Sequence, residues 1–208
     1  LRAAFADELD RNIYSRFSNP NTQELVDKIS ILEEADDGVA FASVMAAVYT
    51  SFAALLNSCD HIVSVRSVFG FTHTLFKKYF TKWNIETTYF NASTPQEIEE
   101  AIQPNTKIIY IVTPTNPGLD VLDIGYLSDI AKKHQIILIV DNCFATPYLQ
   151  KPVSFGADLF IHSSTKLIDG QGRVLGGLIV GRQDLINEIR SFFRNSGSTL
   201  SPFSAWVL

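Results

Sequence analysis

The sequence predicts an α/β fold of three layers, in which helices cover both faces of a mostly parallel sheet of about seven strands. Short apolar runs rich in β-branched residues alternate with segments of helical periodicity along the chain. Residues 136–140, Ile-Ile-Leu-Ile-Val, are apolar at every position, which is typical of a strand buried on both faces. In such sheets ligands bind at the carboxyl ends of the strands, so the residues that follow each run are the candidate site.

The individual elements follow from these two periodicities. Strands are predicted at residues 39–42, 61–65, 85–90, 107–112, 136–140, 158–162 and 174–180. Helices are predicted at residues 22–34, 46–56, 123–134 and 182–194, with Thr22 and Asp123 as N-caps. The opening residues 1–20 are interpreted as an irregular arm. The domain boundary is therefore placed after residue 21, with one domain over residues 22–208.

Composition narrows the class of protein. The chain has 208 residues, of which 46% are hydrophobic and 12% aromatic, as expected for one globular domain or most of one. The net charge of −5 comes from scattered charges without a basic block, which disfavours nucleic acid and anionic membranes as partners. No apolar run is long enough to cross a bilayer and no signal-peptide pattern opens the chain, so we expect a cytoplasmic protein. The apolar ending, Ala205-Trp206-Val207-Leu208, suggests a truncated chain.

The two cysteines, Cys59 and Cys143, lie far apart and outside any cluster with metal-ligand spacing. We therefore predict no metal site and expect both to be buried free thiols.

Lys166 ends the segment His162-Ser163-Ser164-Thr165-Lys166, directly after a predicted strand and before a glycine-rich turn. A lysine amine that is partly desolvated at a strand end has a lowered pKa and can attack a carbonyl carbon to form a Schiff base. Ser163 and Thr165 would offer hydroxyl donors to a phosphate. Taken alone, the segment is also compatible with a surface lysine in a polar loop.

Asp141 is the first polar residue after the apolar run 136–140. A buried carboxylate there requires a partner, and the protonated nitrogen of a pyridine ring is one, because the carboxylate keeps that ring an electron sink. The alternative is that Asp141 caps the following turn.

Three other strand ends carry weaker signals. At Ser43-Val44-Met45 a strand meets a helix start, whose free N–H groups and dipole favour a phosphate. Asn116 lies in the turn Thr113-Pro114-Thr115-Asn116-Pro117 and could bond a ring substituent, or serve only the turn. Phe69, before Gly70, could stack on an aromatic cofactor or pack in the core.

In the arm, Tyr14 and Arg16 pair a phenol with a guanidinium, two donors suited to phosphate oxygens. An arm of this kind could reach another subunit, or it could be a solvated loop.

Taken together, these residues resemble the Cys/Met-metabolism family of pyridoxal-phosphate enzymes, which includes cystathionine synthases and lyases, methionine γ-lyase and the homoserine-ester sulfhydrylases. The resemblance covers almost the whole chain. Its motifs, in the family's order, are Tyr14-Ser15-Arg16-x-x-Asn19-Pro20, Ser43-x-Met45-Ala46-Ala47, Thr113-Pro114-Thr115-Asn116-Pro117, Val140-Asp141-Asn142-x-Phe144-Ala145-Thr146-Pro147-Tyr148 and Ser163-x-Thr165-Lys166.

The resemblance implies a subunit of fold type I, similar to aminotransferases, that binds pyridoxal 5'-phosphate. Lys166 would form the Schiff base with the cofactor, and Asp141 would hold the ring nitrogen. Ser163, Thr165 and the Met45 backbone, beside Val44, would bind the phosphate. Tyr14 and Arg16 would complete a neighbour's phosphate site in a homotetramer built as a dimer of dimers.

The resemblance also implies a reaction. The segments Asn142-Cys143-Phe144 and Asp169-Gly170-Gln171-Gly172-Arg173, with Phe69, look most like the O-succinylhomoserine sulfhydrylases, closely followed by the O-acetylhomoserine enzymes. Such an enzyme would combine the amino-acid ester with sulfide to give homocysteine. Cystathionine γ-synthase, cystathionine γ-lyase and methionine γ-lyase activities stay open, as does a non-catalytic homologue. Another type of α/β ligand binder lacks support, because no glycine-rich nucleotide loop is present.

Four positions depart from the family pattern. Val44 and Cys59 stand where the family usually has glycine, Phe71 where it has a small residue, and Val112 where it has glutamate. The glycine at the first position lets the backbone approach the phosphate, so Val44 adds bulk there. The family's arginine for the substrate carboxylate is expected beyond Leu208, in a C-terminal domain absent from this sequence.

Overall fold

The computed structural model describes residues 2–5 and 11–208, and it confirms the predicted α/β class. The strands are β1 (Asp37–Phe41), β2 (His61–Val65), β3 (Glu86–Phe90), β4 (Thr106–Val112), β5 (Ile137–Asp141), β6 (Leu159–Ser163) and β7 (Gly177–Gly181). They form a seven-stranded sheet in the order β1-β7-β6-β5-β4-β2-β3. Each predicted strand corresponds to one of them, with ends that differ by up to three residues.

The sheet is parallel from β6 through β5, β4 and β2 to β3. Strand β7 runs antiparallel to both of its neighbours, β1 and β6. Only this strand is reversed among those described, so the carboxyl ends of β4, β5 and β6 meet at the same edge of the sheet.

The helices are α1 (Arg2–Phe5), α2 (Pro20–Glu33), α3 (Val44–Leu55), α4 (Gly70–Thr74), α5 (Glu97–Ala101), α6 (Ile124–His134), α7 (Thr146–Leu149), α8 (Gln183–Ser196) and α9 (Pro202–Val207). Short 3₁₀ or π-helical turns occupy Leu75–Tyr79, Phe80–Trp83, Pro152–Phe155 and Ser164–Ile168. The four predicted helices correspond to α2, α3, α6 and α8.

The N-caps show one prediction confirmed and one wrong. Asp123 caps α6, because its Oδ1 accepts a hydrogen bond from the Tyr126 N–H at 3.0 Å. Thr22 does not cap α2. Pro20 occupies the first turn and Asn19 is the cap, its side chain accepting from the Asn21 N–H at 3.0 Å. The helix therefore begins inside the arm proposed for residues 1–21, and residues 1 and 6–10 of that arm lie outside the described residues.

Two helical layers enclose the sheet. Helices α3 and α8 pack against each other and against β1 and β7. Helix α2 contacts the same two strands but packs with α7 and α9 instead, so it covers the opposite face. Strands β2, β6 and β7 are buried along their whole length, and β5, for which burial on both faces was predicted, is buried except at the half-buried Ile137. Within the described residues, no helix is both long and apolar enough to cross a membrane.

Candidate functional site

A cavity of about 240 Å³ opens at the carboxyl ends of β4, β5 and β6, against the first turn of α3. It brings together eight of the ten predicted site residues: Val44, Met45, Phe69, Asn116, Asp141, Ser163, Thr165 and Lys166. These residues come from five separate segments of the chain. What relates them in the sequence is that they were expected near the carboxyl ends of strands, where a parallel sheet binds ligands.

Lys166 belongs to the wide helical turn Ser164–Ile168 that follows β6. Its backbone departs from helical geometry, with φ of −87° and ψ of −119°, and its side chain lines the cavity. The residue as a whole is exposed.

The two hydroxyls beside Lys166 differ in their surroundings. Ser163 is buried at the end of β6 and lines the cavity. The Thr165 hydroxyl donates to the Gly176 carbonyl at 3.2 Å and accepts from the Gly176 N–H at 3.0 Å. Because a hydroxyl has a single proton, Thr165 can donate to a phosphate only if it exchanges the first of these bonds.

Asp141 is buried at the end of β5 and lines the cavity. Its Oδ1 accepts from the Cys143 N–H at 3.1 Å, so it does cap the following turn, and its Oδ2 accepts from the Tyr110 hydroxyl at 2.9 Å. Burial, reinforced by the charge of Asp141, holds the pKa of Tyr110 well above its usual value. Tyr110 therefore keeps its proton and donates it to the carboxylate, and each carboxylate oxygen retains a further lone pair for a ligand.

Cys143 forms part of the cavity wall between Asp141 and Ser163. Burial and the Asp141 charge raise the pKa of its thiol well above the usual value, so it is a protonated, unreactive group. The prediction of two buried thiols is wrong for Cys59, which is exposed, whereas Cys143 is half-buried as a residue with its thiol desolvated.

The first turn of α3 forms another wall. The Ser43 hydroxyl accepts from the Ala46 N–H at 3.1 Å, and the Ser43 carbonyl accepts from the Ala47 N–H. The N–H groups of Val44 and Met45 precede these bonds, so they are the donors that the helix start offers to an anion. Gly177 permits this placement, because a Cβ there would lie 2.5 Å from the Val44 nitrogen.

Phe69 and Asn116 lie on the cavity wall, Phe69 with 41% of its surface exposed. The ring of Phe71 contacts that of Phe69, with 5.3 Å between centroids, and is itself mostly exposed. Val112, the third of the departures near the site, is buried and also lines the cavity.

Tyr14 and Arg16 do not line the cavity. Arg16 donates to the Arg194 carbonyl at the end of α8, and its guanidinium lies 4.8 Å from the Phe17 ring centroid and 5.3 Å from that of Tyr14. Within one chain, these two residues thus form a separate cluster near the edge strand β1.

The sequence interpretation missed several residues of the site. Cys143 and Phe144 line the cavity and belong to the motif around Asp141, but the sequence predicted no role in the site for either. Thr72 lines the cavity from α4, and Tyr110 bonds Asp141 from within the apolar β4. Neither of these two has a flanking pattern that could have revealed it.

Fold and cavity together define a class, an α/β enzyme domain with its ligand site at the strand ends. The family model "Cys/Met metabolism PLP-dependent enzyme" matches residues 1–208, and the chain belongs to that family. It is 45% identical over 205 residues to the O-succinylhomoserine sulfhydrylase of Pseudomonas aeruginosa, covering 99% of this chain and 51% of the relative. It is 44% identical over 196 residues to a cystathionine gamma-lyase of Bacillus subtilis, covering 94% and 52%.

Among solved structures, metB from Corynebacterium glutamicum matches with a TM-score of 0.93 and 38% identity, over 97% of this chain and 53% of that one. In all three comparisons the chain spans about half of the other protein's length.

The residues present fit pyridoxal 5'-phosphate, the cofactor of this family. The cavity combines an amine, a buried carboxylate and the N–H donors of a helix start, which are partners for an aldehyde, a protonated ring nitrogen and a phosphate. The side chain of Val44 also lines the cavity, at the start of α3.

Proposed function

We propose that this protein catalyses γ-replacement on an activated homoserine ester, O-succinylhomoserine or O-acetylhomoserine, with sulfide as the incoming nucleophile. The Cγ–O bond of the ester breaks, the carboxylate leaves with the electron pair, and a Cγ–S bond forms to give homocysteine. The observation that carries the proposal is the cavity that joins Lys166, Asp141 and the first turn of α3. The 45% identity of the chain to the O-succinylhomoserine sulfhydrylase supports the choice of substrate.

Each of these residues would have a distinct task. The Lys166 amine would bind the cofactor covalently and, once released by the substrate amine, move protons at the substrate's Cα and Cβ. Asp141, held by Tyr110 and the Cys143 N–H, would keep the ring nitrogen protonated. When bound, the cofactor supplies an electron sink for the carbanions of the reaction.

The phosphate would lie at the start of α3, where Val44, Met45 and Ser163 line the cavity and could offer two backbone N–H groups and a hydroxyl. Phe69 would cover one face of the ring, and Asn116 would bond a ring substituent. Tyr14 and Arg16 would serve a neighbouring subunit's phosphate in a homotetramer.

A γ-elimination is the second candidate, because the identity to the cystathionine gamma-lyase is almost as high. The two reactions share all steps up to loss of the γ-substituent. Product analysis with sulfide separates them, since replacement yields homocysteine and elimination yields a 2-oxo acid and ammonia.

The assignment of Lys166 is tested by adding pyridoxal 5'-phosphate, recording the absorbance at the edge of the visible range, and reducing with borohydride. Mass spectrometry then locates the pyridoxyl group. We expect it on Lys166, lost in Lys166→Arg and retained in Lys151→Arg, a control lysine that pairs with Glu34 on the surface. A modification at any other lysine would overturn the assignment, and no modification would favour a non-catalytic homologue.

Val44→Gly tests the phosphate end of the cavity. Removing the side chain should tighten pyridoxal 5'-phosphate binding by about tenfold, because the backbone can then approach the phosphate more closely. Absorbance titration measures the dissociation constant, with Val44→Ala as the intermediate control. An affinity that is unchanged in Val44→Gly would mean that Val44 does not obstruct the site.

A further inference from the structure

The loop that follows Lys166 is closed by an ion pair between Asp169 and Arg173. The Asp169 carboxylate accepts from the Arg173 backbone N–H at 2.7 Å, from its Nε at 3.0 Å and from its Nη2 at 2.7 Å. The Asp169 side chain is fully buried, whereas 47% of the Arg173 side chain is exposed. We call this arrangement the clasp.

Between the two residues, Gly170 and Gly172 have φ values of 68° and 65°. This left-handed conformation lets five residues turn tightly enough for the two ends to meet. The clasp is thus built into the backbone of the loop and is more than a contact between two surface side chains.

The loop is bonded directly to the turn that contains Lys166. The Asp169 N–H donates to the Ser164 carbonyl at 2.9 Å, and the Gly170 N–H donates to the Lys166 carbonyl at 2.8 Å. Beyond the loop, Gly176 exchanges two hydrogen bonds with the Thr165 side chain. Lys166 therefore lies between two anchored points, and its non-helical backbone is held from both sides.

We propose that Asp169 and Arg173 are positioning residues, whose clasp fixes the Lys166 backbone so that its amine faces the cavity. The inference rests on the proposed role of Lys166. Neither residue lines the cavity, so neither would touch the cofactor or substrate. Their effect would be transmitted through the Gly170 N–H and the Lys166 carbonyl.

The chemistry of the clasp suits this task. A guanidinium that bonds one carboxylate through two nitrogens fixes both distance and orientation. An isolated exposed ion pair would contribute little, but here the carboxylate is buried and also accepts a backbone N–H. Loss of the guanidinium would leave that buried charge without its main partner, and the loop would open.

The test compares Arg173→Gln and Asp169→Asn with Arg182→Gln in the purified protein. Arg182 is the control, because it also bonds one carboxylate, that of Asp184, through two nitrogens and is 52% exposed. Its Nη1 additionally donates to Asp158, and it directly follows the end of β7 that is remote from the Lys166 loop. Amide exchange of Gly170 is expected to accelerate by about tenfold in both clasp variants and to stay unchanged in the control.

Two lysine-specific labels then report on the amine. The rate of pyridoxyl labelling of Lys166, relative to Lys151, should fall by about tenfold, because the amine is no longer directed at the cavity. Trace acetic anhydride, which needs no cofactor site, should modify Lys166 at a rate that differs from the parent's by roughly threefold, because the amine leaves the neighbours that it has on the cavity wall. The melting temperature serves to separate this from a general loss of folding, and Asp169→Asn, which preserves side-chain shape, is the milder of the two variants.

Unchanged acetylation of Lys166 in a variant whose Gly170 exchanges rapidly would overturn the inference, because the loop would then open without moving the lysine. If the parent protein is not labelled by pyridoxal 5'-phosphate, the proposed function fails instead. The acetylation experiment still decides on the clasp in that case.

Discussion

Cys59 has a left-handed backbone, with φ of 71°, at a position where the family usually has glycine. A Cβ in this conformation destabilises the folded state by roughly 1 to 2 kcal/mol. Glycine avoids this strain, but it also raises the entropy of the unfolded chain, which offsets part of the gain. Cys59 is exposed, so its side chain contributes little packing. The left-handed backbone, which the sequence could not reveal, therefore explains a glycine at this position, and nothing in the structure explains the cysteine.

We predict that Cys59→Gly stabilises the protein by about 0.5 to 1 kcal/mol. Urea denaturation measures the free energy of unfolding, and Cys59→Ala, which keeps the Cβ, should give no such gain. A Cys59→Gly protein that unfolds at lower urea than the parent would contradict the explanation.

At the scale of elements, helix α2 is attached to the site strands by buried polar groups. The Glu33 carboxylate, with no exposed surface, lies 2.7 Å from His162 Nε2 and accepts from Asn142 Nδ2 at 2.8 Å. Asn142 also accepts from Gln150, which reaches the Thr113 carbonyl at the end of β4. The network lies behind the site, since Asn142 and His162 are the neighbours of Asp141 and Ser163.

Breaking the Glu33–His162 pair should be costly. Glu33→Ala and His162→Ala are each expected to lower the free energy of unfolding by about 1 to 3 kcal/mol, because each takes one partner away from a buried polar group. The loss of unfolding free energy in the double variant should be smaller than the sum of the two single losses by about 1 kcal/mol or more. The same cycle on Glu24 and Lys28, an exposed pair on α2, should give a coupling under about 0.5 kcal/mol. Additive effects at Glu33 and His162 would mean that the two do not interact.

Helix α8 is attached to β1 by Arg190, whose Nη2 donates to Asp37 Oδ2 at 2.6 Å and to the Gly38 carbonyl at 2.9 Å. Burial by itself raises the pKa of Asp37, but the hydrogen bonds from Arg190, Gln183 and the Gly38 N–H outweigh it. The pKa therefore lies below the usual 3.8. A lowered folded-state pKa means stability that is present above the unfolded pKa and is lost as pH falls through the folded value.

We therefore expect the free energy of unfolding to fall with pH below about 4, and Arg190→Gln to make this fall shallower. At neutral pH the same variant should lose about 1 to 3 kcal/mol, as for a charge-assisted hydrogen bond. Denaturation at pH values from about 5 to 2 measures both. Asp37→Asn is the control, and adding Arg190→Gln to it should bring no further change in pH dependence; a further change would place the titrating group elsewhere.

The elements that the sequence predicted are those with a strong period. The apolar strands and the four longer helices were found because burial on one or two faces determines their residue pattern. The reversed direction of β7 could not be predicted, since Gly-Leu-Ile-Val-Gly is equally apolar in either direction. Helices α4, α5, α7 and α9 are too short for a period to develop.

The site divides in the same way. Asp141 and Ser163 lie at the carboxyl ends of buried strands, so both could be predicted at one edge of a parallel sheet, where ligands bind. Tyr110 lies inside a strand and Thr72 on a short helix, and only the folded chain brings them to Asp141 and the cavity. The clasp between Asp169 and Arg173 depends on loop geometry, which the sequence does not determine.

Over the whole molecule, large apolar side chains are exposed on three elements that pack together: α2, α7 and α9. The exposed fractions are 75% for Ile31 on α2, 92% for Tyr148 and 75% for Leu149 on α7, and 70% for Trp206 on α9. Single exposed apolar residues are ordinary, but their concentration on neighbouring helices is typical of a surface that another protein surface covers.

We predict that this surface makes the protein self-associate, in accord with the proposed homotetramer. Sedimentation velocity should give a species larger than the monomer at micromolar concentration, and Tyr148→Ser with Leu149→Ser should lower its mass, because both side chains lose apolar area that the interface would bury. Phe155→Ser is the control, since Phe155 is also an exposed aromatic, at 52%, but lies on the separate turn Pro152–Phe155. The two substitutions should not destabilise the fold of the single chain, because neither side chain is buried within it. The melting temperature checks this. A parent protein that sediments as a monomer over the same range would contradict the prediction, and a mass lowered equally by Phe155→Ser would place the interface elsewhere.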